Sequence, residues 1–160
     1  MSRIVLSALS APGRASAVRL TPHFLLGAAF VVAGTVLRLR CYRVLGKHFT
    51  YRLTLWDGHK LVKRGPYAYV RHPGYSAVLC LDVGSTLVVF GPGSLFREEQ
   101  WLGSPWGRAF LWVWGLCRGA EVVYVFYRPV LEDRLLKERF GTEWVMWARK
   151  TRYRLLPFVY

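Results

Sequence analysis

The stretch from His59 to Tyr75 concentrates side chains that could carry chemistry. It reads HKLVKRGPYAYVRHPGY, in which basic side chains and tyrosines are interspersed with glycines and prolines. An apolar segment follows directly. A loop so rich in hydrogen-bond donors and aromatic rings suits a charged, flat, partly apolar ligand. His72 and Tyr75 lie where the apolar segment begins, so we expect both to contribute to one binding site.

The backbone signals in this stretch predict a turn and then a helix start. Glycine frees the backbone and proline fixes its own φ, so Gly65-Pro66 predicts a turn. Pro73 disfavours a helical conformation at His72 and is itself suited to the first turn of a helix. Backbone N–H groups at a helix start favour an anion, so this helix start is a candidate anion site.

A second candidate pair lies near the end of the last apolar run. Arg128 and Glu132 are four residues apart and share one face of a helix. Arg128 could hold a substrate carboxylate with two parallel hydrogen bonds, while Glu132 accepts hydrogen bonds from a cofactor. The alternative is an ordinary surface pair worth roughly a few tenths of a kcal/mol, and spacing alone favours it. A lone His72 is likewise more often structural, although its neighbours favour a functional role.

Charged residues also occur inside the apolar runs. Asp82 lies in the second run, and Arg118 and Glu121 lie in the third. Charges at membrane depth are costly and normally face a partner or a watery cavity. We therefore expect an Asp82–Arg118 or an Arg118–Glu121 ion pair, with contact to a polar substrate head group as the alternative.

Composition and charge favour a membrane protein over a nucleic-acid-binding protein. The chain has 160 residues, is 53% hydrophobic and carries a net charge of +14. Nine of the 23 basic residues fall between Arg38 and Arg71, and eight fall between Arg128 and Arg154. Basic segments that flank long apolar runs are typical of cytosolic loops in membrane proteins. We therefore expect no nucleic-acid partner, although a pI of about 10.4 would otherwise suggest one.

Cysteine usage gives no sign of a metal site or a disulfide framework. Cys41, Cys80 and Cys117 are widely spaced and form no CxxC pair. We expect free thiols and no bound metal.

The apolar pattern predicts an all-α integral membrane protein of one domain with about three transmembrane helices. The predicted segments are an N-terminal tail at 1–20, spans at 21–37, 75–92 and 106–127, and cytosolic segments at 38–74 and 128–160. Thr21-Pro22 is a helix-start signal.

The segment after the third span predicts an amphipathic helix along the membrane surface. Pro129 should kink the chain where it leaves the bilayer, and Gly141 should end the helix that follows. The residues from Trp144 to Tyr160 mix aromatic and basic side chains, which indicates an interfacial tail.

The residues quoted above resemble those of the isoprenylcysteine carboxyl methyltransferase family and, more broadly, the membrane phospholipid methyltransferases that share an RHPxY core. The resemblance includes HKLVKRGPYAYVRHPGY, Arg128-x-x-x-Glu132-Asp133, Phe140-Gly141-x-x-Trp144 and Arg154-Leu155-Leu156-Pro157. It covers about residues 21–158 in order. Family members usually have more transmembrane helices ahead of this core, so the chain resembles a compact or N-terminally shortened member.

The resemblance implies an S-adenosylmethionine-dependent transfer of a methyl group to the C-terminal carboxylate of a prenylated cysteine. The implied cofactor residues are His59, Lys60, Leu61, Val62, Tyr67, His72, Pro73, Gly74, Tyr75 and Glu132. Arg128 would be the catalytic, substrate-binding residue. Arg52, where the family would have a neutral polar side chain, and Pro129 are departures from the family pattern.

The resemblance also implies partners and a location, and it leaves alternatives open. The partners would be prenylcysteine or prenylated CaaX-type protein C-termini, together with membrane lipid, in the endoplasmic reticulum with the active site facing the cytosol. One alternative is methylation of a phospholipid amine, although an amine would prefer an acidic partner to Arg128. Another is a catalytically inactive membrane subunit.

Overall fold

The structure is a computed structural model that describes residues 20–46, 60–98 and 103–159. Within these ranges the secondary structure is helical, with no strand, which confirms the predicted all-α class. The helices are α1 (Pro22–Leu45), a 3-10 helix (Gly65–Ala68), α2 (Pro73–Phe90), the short α3 (Leu95–Glu98), α4 (Pro105–Phe140) and α5 (Thr142–Lys150).

Three of these helices, α1, α2 and α4, are long and apolar enough to cross a membrane. Large apolar side chains on them are exposed; on α4, for example, Trp112 is 75% exposed, Leu116 70% and Val123 68%. So much exposed apolar surface is stable only where lipid covers it. The finding confirms the three predicted transmembrane helices and an integral membrane protein.

The start of α1 follows the local sequence signal. Pro22 is the first helical residue, and the Thr21 hydroxyl accepts the backbone N–H of Phe24 at 3.2 Å. This hydrogen bond satisfies one of the donors that a helix start leaves open. The predicted end of the first span at residue 37 differs from the end of the helix, since α1 continues to Leu45. Arginine is a good helix former, so basic residues end an apolar run without ending the helix.

The third span and the predicted amphipathic helix are one continuous element. Helix α4 continues through Pro129, so no helix end separates the third span from the segment that follows it. The end of the span at residue 127 and the kink at Pro129 stay predictions. Pro129 cannot donate to the carbonyl of Val125, but the helix continues on both sides of it and Pro129 itself is buried. Gly141 ends the helix as predicted: its φ is 52° and its N–H donates to the Lys137 carbonyl at 2.9 Å. Part of the tail expected to be interfacial forms α5.

The first of two compact units comprises Met1–Val32 and Leu81–Ala120. Here α1 and α2 approach closely: a Cβ added at Gly84 would lie 2.7 Å from the carbonyl oxygen of Gly27. The Arg118 guanidinium forms an ion pair with Asp82 and lies 5.3 Å from the centre of the Trp114 ring. The first of the two expected pairings is therefore confirmed, and burial of Asp82 explains why the pair is needed.

The second unit comprises Ala33–Cys80 and Glu121–Tyr160. Its buried apolar residues include Cys41, Val70, Ala77, Val125, Trp147 and Leu155. Its buried polar and charged residues are Arg71, His72, Ser76, Asp133 and Thr151. Buried charges need partners because burial removes their hydration. The cluster of buried polar and charged residues is therefore the candidate functional site of this unit.

Candidate active site

Backbone geometry places His72 at the mouth of α2. Gly65 has a φ of 61° and opens the 3-10 helix, which confirms the predicted turn. A side chain at Gly65 would also crowd Val44, since an added Cβ would lie 3.1 Å from its Cγ2. Pro73 is the first residue of α2 and His72 lies just outside the helix, as predicted.

Three side chains of the predicted site converge on Glu132. The Tyr75 hydroxyl donates to Glu132 Oε1 at 2.7 Å, and Arg128 Nε donates to the same oxygen at 3.1 Å. His72 Nδ1 lies 3.3 Å from Glu132 Oε2. The Arg128 guanidinium also lies 5.7 Å from the centre of the Tyr124 ring. The structure thus brings together residues from the RHPxY motif and from the Arg128–Glu132 pair.

A second carboxylate, Asp133, joins the same network. His72 Nε2 lies 2.8 Å from Asp133 Oδ1, while Arg71 Nε at 3.3 Å and Arg154 Nε at 3.0 Å donate to Asp133 Oδ2. Asp133 is only 5% exposed. Sequence reasoning gave this residue no role. Its position beside Glu132 in the family-like motif was the available signal.

His72 lies between the two carboxylates. Burial of the ring disfavours its charged form, but hydrogen bonds to Asp133 and Glu132 and the negative charges of both outweigh burial. The pKa of His72 is therefore raised above its ordinary value. A protonated His72 donates from both ring nitrogens, which matches a ring flanked by two acceptors.

The C-terminal segment, residues 151–154, forms hydrogen bonds with the residues that precede α2. Arg71 Nη1 donates to the carbonyl oxygens of Thr151 at 2.9 Å and Arg152 at 2.8 Å. The backbone N–H of Arg71 donates to the carbonyl oxygen of Tyr153 at 2.9 Å, and that of His72 donates to the carbonyl oxygen of Arg154 at 2.8 Å. The C-terminal segment is thus part of the architecture of the site.

These contacts reduce the number of backbone N–H groups at the start of α2 that an anion could contact. The amides of Arg71 and His72 donate to the C-terminal segment, and the amide of Tyr75 donates to the His72 carbonyl at 3.1 Å. An N–H that donates inside the protein is less available to an anion. In the first turn of α2, the Gly74 amide remains as the donor that could meet one.

The remaining predicted residues are only partly connected to this cluster. Tyr67 is half-buried, and burial and the neighbouring Cys41 raise the pKa of its phenol, so it stays neutral. Lys60 is exposed and Leu61 and Val62 are half-buried; within the described ranges no hydrogen bond or ion pair joins them to Glu132. Among the sequence predictions, His59 and Arg52 lie outside the described residues.

A surface cleft of about 260 Å³ lies apart from these residues. It is lined by Lys63, Ala68, Glu143, Met146, Trp147, Lys150 and Thr151. None of the predicted site residues lines it, and Lys63 and Glu143 form an ion pair with each other at 2.7 Å. The charged network around Glu132 is therefore the stronger candidate, because it unites residues distant in sequence around buried charges.

The fold and the network define a class: a helical integral membrane protein with a charged polar site at the mouth of a membrane-spanning helix. Comparison with known proteins narrows this class. The profile of the isoprenylcysteine carboxyl methyltransferase family matches residues 26–97. That region contains the whole RHPxY motif.

Two curated relatives carry names from the same family. A probable protein-S-isoprenylcysteine O-methyltransferase of Oryza sativa subsp. indica is 29% identical over 136 residues, which is 84% of this chain and 61% of that protein. Protein-S-isoprenylcysteine O-methyltransferase B of Arabidopsis thaliana is 29% identical over 128 residues, 78% of this chain and 54% of that protein. The chain is thus similar to members of the isoprenylcysteine carboxyl methyltransferase family, in agreement with the resemblance of its motifs. The chain spans about three fifths of the length of these relatives.

Proposed function

We propose that the protein transfers a methyl group from S-adenosylmethionine to the C-terminal carboxylate of a prenylated cysteine. The observation that carries this proposal is the convergence of Tyr75, His72 and Arg128 on Glu132. The family match and the names of the relatives support the same reaction. Within the described residues, the geometry does not favour a phospholipid amine as the acceptor.

The donor set fits a cofactor that carries both charges and a flat ring. S-adenosylmethionine supplies a methyl carbon bound to a positively charged sulfur. Glu132 offers a negative charge to the cationic part, the Gly74 amide can meet the carboxylate, and the Tyr67 ring can pack beside the adenosine. We propose that the cofactor-binding residues are His59, Lys60, Leu61, Val62, Tyr67, His72, Pro73, Gly74, Tyr75 and Glu132.

The acceptor side of the site is assigned to Arg128. We propose that the Arg128 guanidinium, whose Nε donates to Glu132, also binds the acceptor carboxylate. A carboxylate is ionised at neutral pH, so the acceptor needs no general base. Arg128 would act by fixing the acceptor oxygen in line with the methyl carbon and the sulfur.

The proposal also assigns a location. Residues 38–74 and 128–160 would face the cytosol and the active site would open there, in the membrane of the endoplasmic reticulum. The prenyl chain would enter from the bilayer. The predominance of arginine and lysine in these two segments supports this orientation.

A methyl-transfer assay tests the function. The full chain, purified in lipid nanodiscs, is incubated with S-adenosylmethionine labelled on the methyl group and with farnesylcysteine or phosphatidylethanolamine. We expect label on farnesylcysteine that base releases as methanol, because the product is an ester. Base-stable label on phosphatidylethanolamine would instead support amine methylation. Formation of no S-adenosylhomocysteine with either acceptor would contradict an enzymatic role.

Calorimetric titration with S-adenosylmethionine tests the residues. Tyr75→Phe removes the hydroxyl that donates to Glu132 at 2.7 Å. The hydroxyl orients Glu132, so cofactor affinity should fall in its absence, by at most the 10- to 150-fold that corresponds to a charged hydrogen bond of about 1.5–3 kcal/mol. Lys150→Ala, an exposed change beside the separate cleft, is the control and should leave affinity unchanged. Equal affinities in the two variants would remove Tyr75 from the site.

A further inference from the structure

Asp133 is a heavily engaged buried carboxylate to which neither the motifs nor the proposed reaction gives a role. Groups from Arg71, His72 and Arg154 lie within 3.3 Å of its two oxygens. The two oxygens have different partners: Oδ1 contacts His72, while Oδ2 accepts hydrogen bonds from Arg71 and Arg154. Because Asp133 adjoins Glu132 on α4, a single turn of helix presents one carboxylate to each side of the His72 ring.

The geometry of the ring restricts its protonation. A neutral imidazole has one N–H donor and one acceptor, whereas an ionised carboxylate only accepts. His72 Nε2 lies 2.8 Å from Asp133 and Nδ1 lies 3.3 Å from Glu132. A ring between two ionised carboxylates can satisfy both only when both of its nitrogens carry protons.

We propose that Asp133 is a positioning residue, which holds His72 as a doubly protonated cation with its Nδ1–H directed at Glu132. Through His72, Asp133 would fix the orientation and the charge balance of Glu132. This inference rests on the proposed function only for the statement that Glu132 meets the cofactor. The contact of Asp133 with His72 stands independently of it.

The surroundings of His72 agree with a cation at this position. The titratable and charged side chains of this network, from the loop, α2, α4 and the C-terminal segment, are Arg71, Tyr75, Arg128, Glu132, Asp133 and Arg154. The arginines bind carboxylate oxygens in the contacts described above, so the positive charges are spread around two negative ones. The raised pKa of His72 is consistent with this arrangement, since both carboxylates favour the charged ring.

Histidine NMR tests the inference without any cofactor. The full chain is labelled with ¹³C-histidine in detergent micelles, and the His72 signal is identified as the one missing from His72→Gln. In Asp133→Asn, which keeps the size of the side chain but removes its charge, the His72 titration midpoint should fall by about 1–3 pH units. Glu138→Gln, an exposed change on the same helix, is the matched control and should leave the midpoint unchanged. An unchanged midpoint in Asp133→Asn would overturn the proposal.

A second variant keeps the test decisive if Asp133→Asn does not fold. Arg154 is about one-third exposed and donates to Asp133 Oδ2, so Arg154→Gln removes a competing cation while Asp133 stays in place. The His72 midpoint should then rise. A midpoint that stays the same or falls would show that Asp133 does not set the state of His72.

Cofactor titrations at two pH values separate this inference from the proposed function. At a pH between the His72 midpoints of the two proteins, His72 is neutral in Asp133→Asn and charged in the unchanged chain. The variant should then bind S-adenosylmethionine at least about tenfold more weakly, because Glu132 loses a charged donor. Below both midpoints the two proteins should bind alike. A merely structural defect would weaken binding equally at both pH values and would contradict a positioning role. Absence of cofactor binding by the unchanged chain would instead refute the proposed function and leave the NMR result as the test of Asp133.

Discussion

Replacement of Gly84 by alanine should destabilise the packing of α1 against α2. The added Cβ would lie 2.7 Å from the carbonyl oxygen of Gly27 and 2.8 Å from both the backbone N and the Cγ2 of Val31. Two of these three atoms belong to the backbone, so relief requires movement of α1 itself. A rotation of one side chain cannot provide it.

The magnitude follows from two opposing effects. Overpacking costs about 1–3 kcal/mol, and contact with backbone atoms places Gly84→Ala near the upper value. Alanine in place of glycine inside a helix contributes about 1 kcal/mol in the other direction. The net loss in the free energy of unfolding should therefore be about 2 kcal/mol. Gly119→Ala is the matched control, because Gly119 is an exposed residue of α4 and an added Cβ there meets nothing within 4 Å. That variant should gain up to about 1 kcal/mol from helix propensity alone.

The assay is unfolding in mixed micelles with increasing dodecyl sulfate, followed by tryptophan fluorescence and circular dichroism. The two variants should differ by about 3 kcal/mol, with Gly84→Ala unfolding first. If Gly84→Ala proved as stable as Gly119→Ala, the close approach of α1 and α2 at Gly27 would be refuted.

Three further predictions concern the acceptor, topology and pH. Arg128→Lys keeps the charge but loses the planar fork, so kcat/KM for farnesylcysteine should fall by about 10- to 150-fold in steady-state assays, with a smaller effect on cofactor affinity. Single cysteines at Arg64, Arg97 and Lys150, in a background without native cysteines, should react with an impermeant reagent so that position 97 labels oppositely to the other two in sealed vesicles. Burial alone would lower the pKa of His72, but the adjacent carboxylates raise it above its ordinary value. The stabilisation from the charged ring is therefore fully present below about pH 6.5 and is lost as the pH rises through the raised pKa. Unfolding titrations between roughly pH 6 and pH 9 should show that loss of stability, and His72→Gln should flatten the dependence.

Each of these has an outcome that would contradict it. Arg134→Lys, an exposed change on α4, is the control for Arg128, and full activity in Arg128→Lys would move Arg128 out of the acceptor site. Labelling from the same side at all three cysteine positions would refute three spans. An equal pH dependence with and without His72 would show that its charge does not stabilise the fold.

The local elements of this protein were accessible from the sequence alone. Apolar runs long enough to cross a bilayer gave the three membrane helices. Thr21-Pro22 and His72-Pro73 marked two helix starts, because proline fixes φ and lacks the N–H that a helix start does not need. Gly65 and Gly141 marked a turn and a helix end, because both require a positive φ. Each of these features depends on a few consecutive residues, which a sequence displays directly.

Tertiary structure alone decided which charges meet. Asp82 pairs with Arg118 across a separation of 36 residues, and Asp133 contacts His72 across a separation of 61 residues. Spacing within one helix reveals i,i+4 neighbours such as Arg128 and Glu132, but it carries no information about a partner on another element.

The role of the C-terminal segment was hidden for a related reason. Its carbonyl oxygens accept hydrogen bonds from Arg71 and from the amides before α2, and every residue type has such a carbonyl. Helix α4 likewise continues through the buried Pro129, although proline disfavours a helix interior and the local sequence therefore predicts a break. The sequence therefore predicted the residue types of the candidate site. The hydrogen bonds and ion pairs that orient these residues depend on tertiary contacts, which no local sequence pattern encodes.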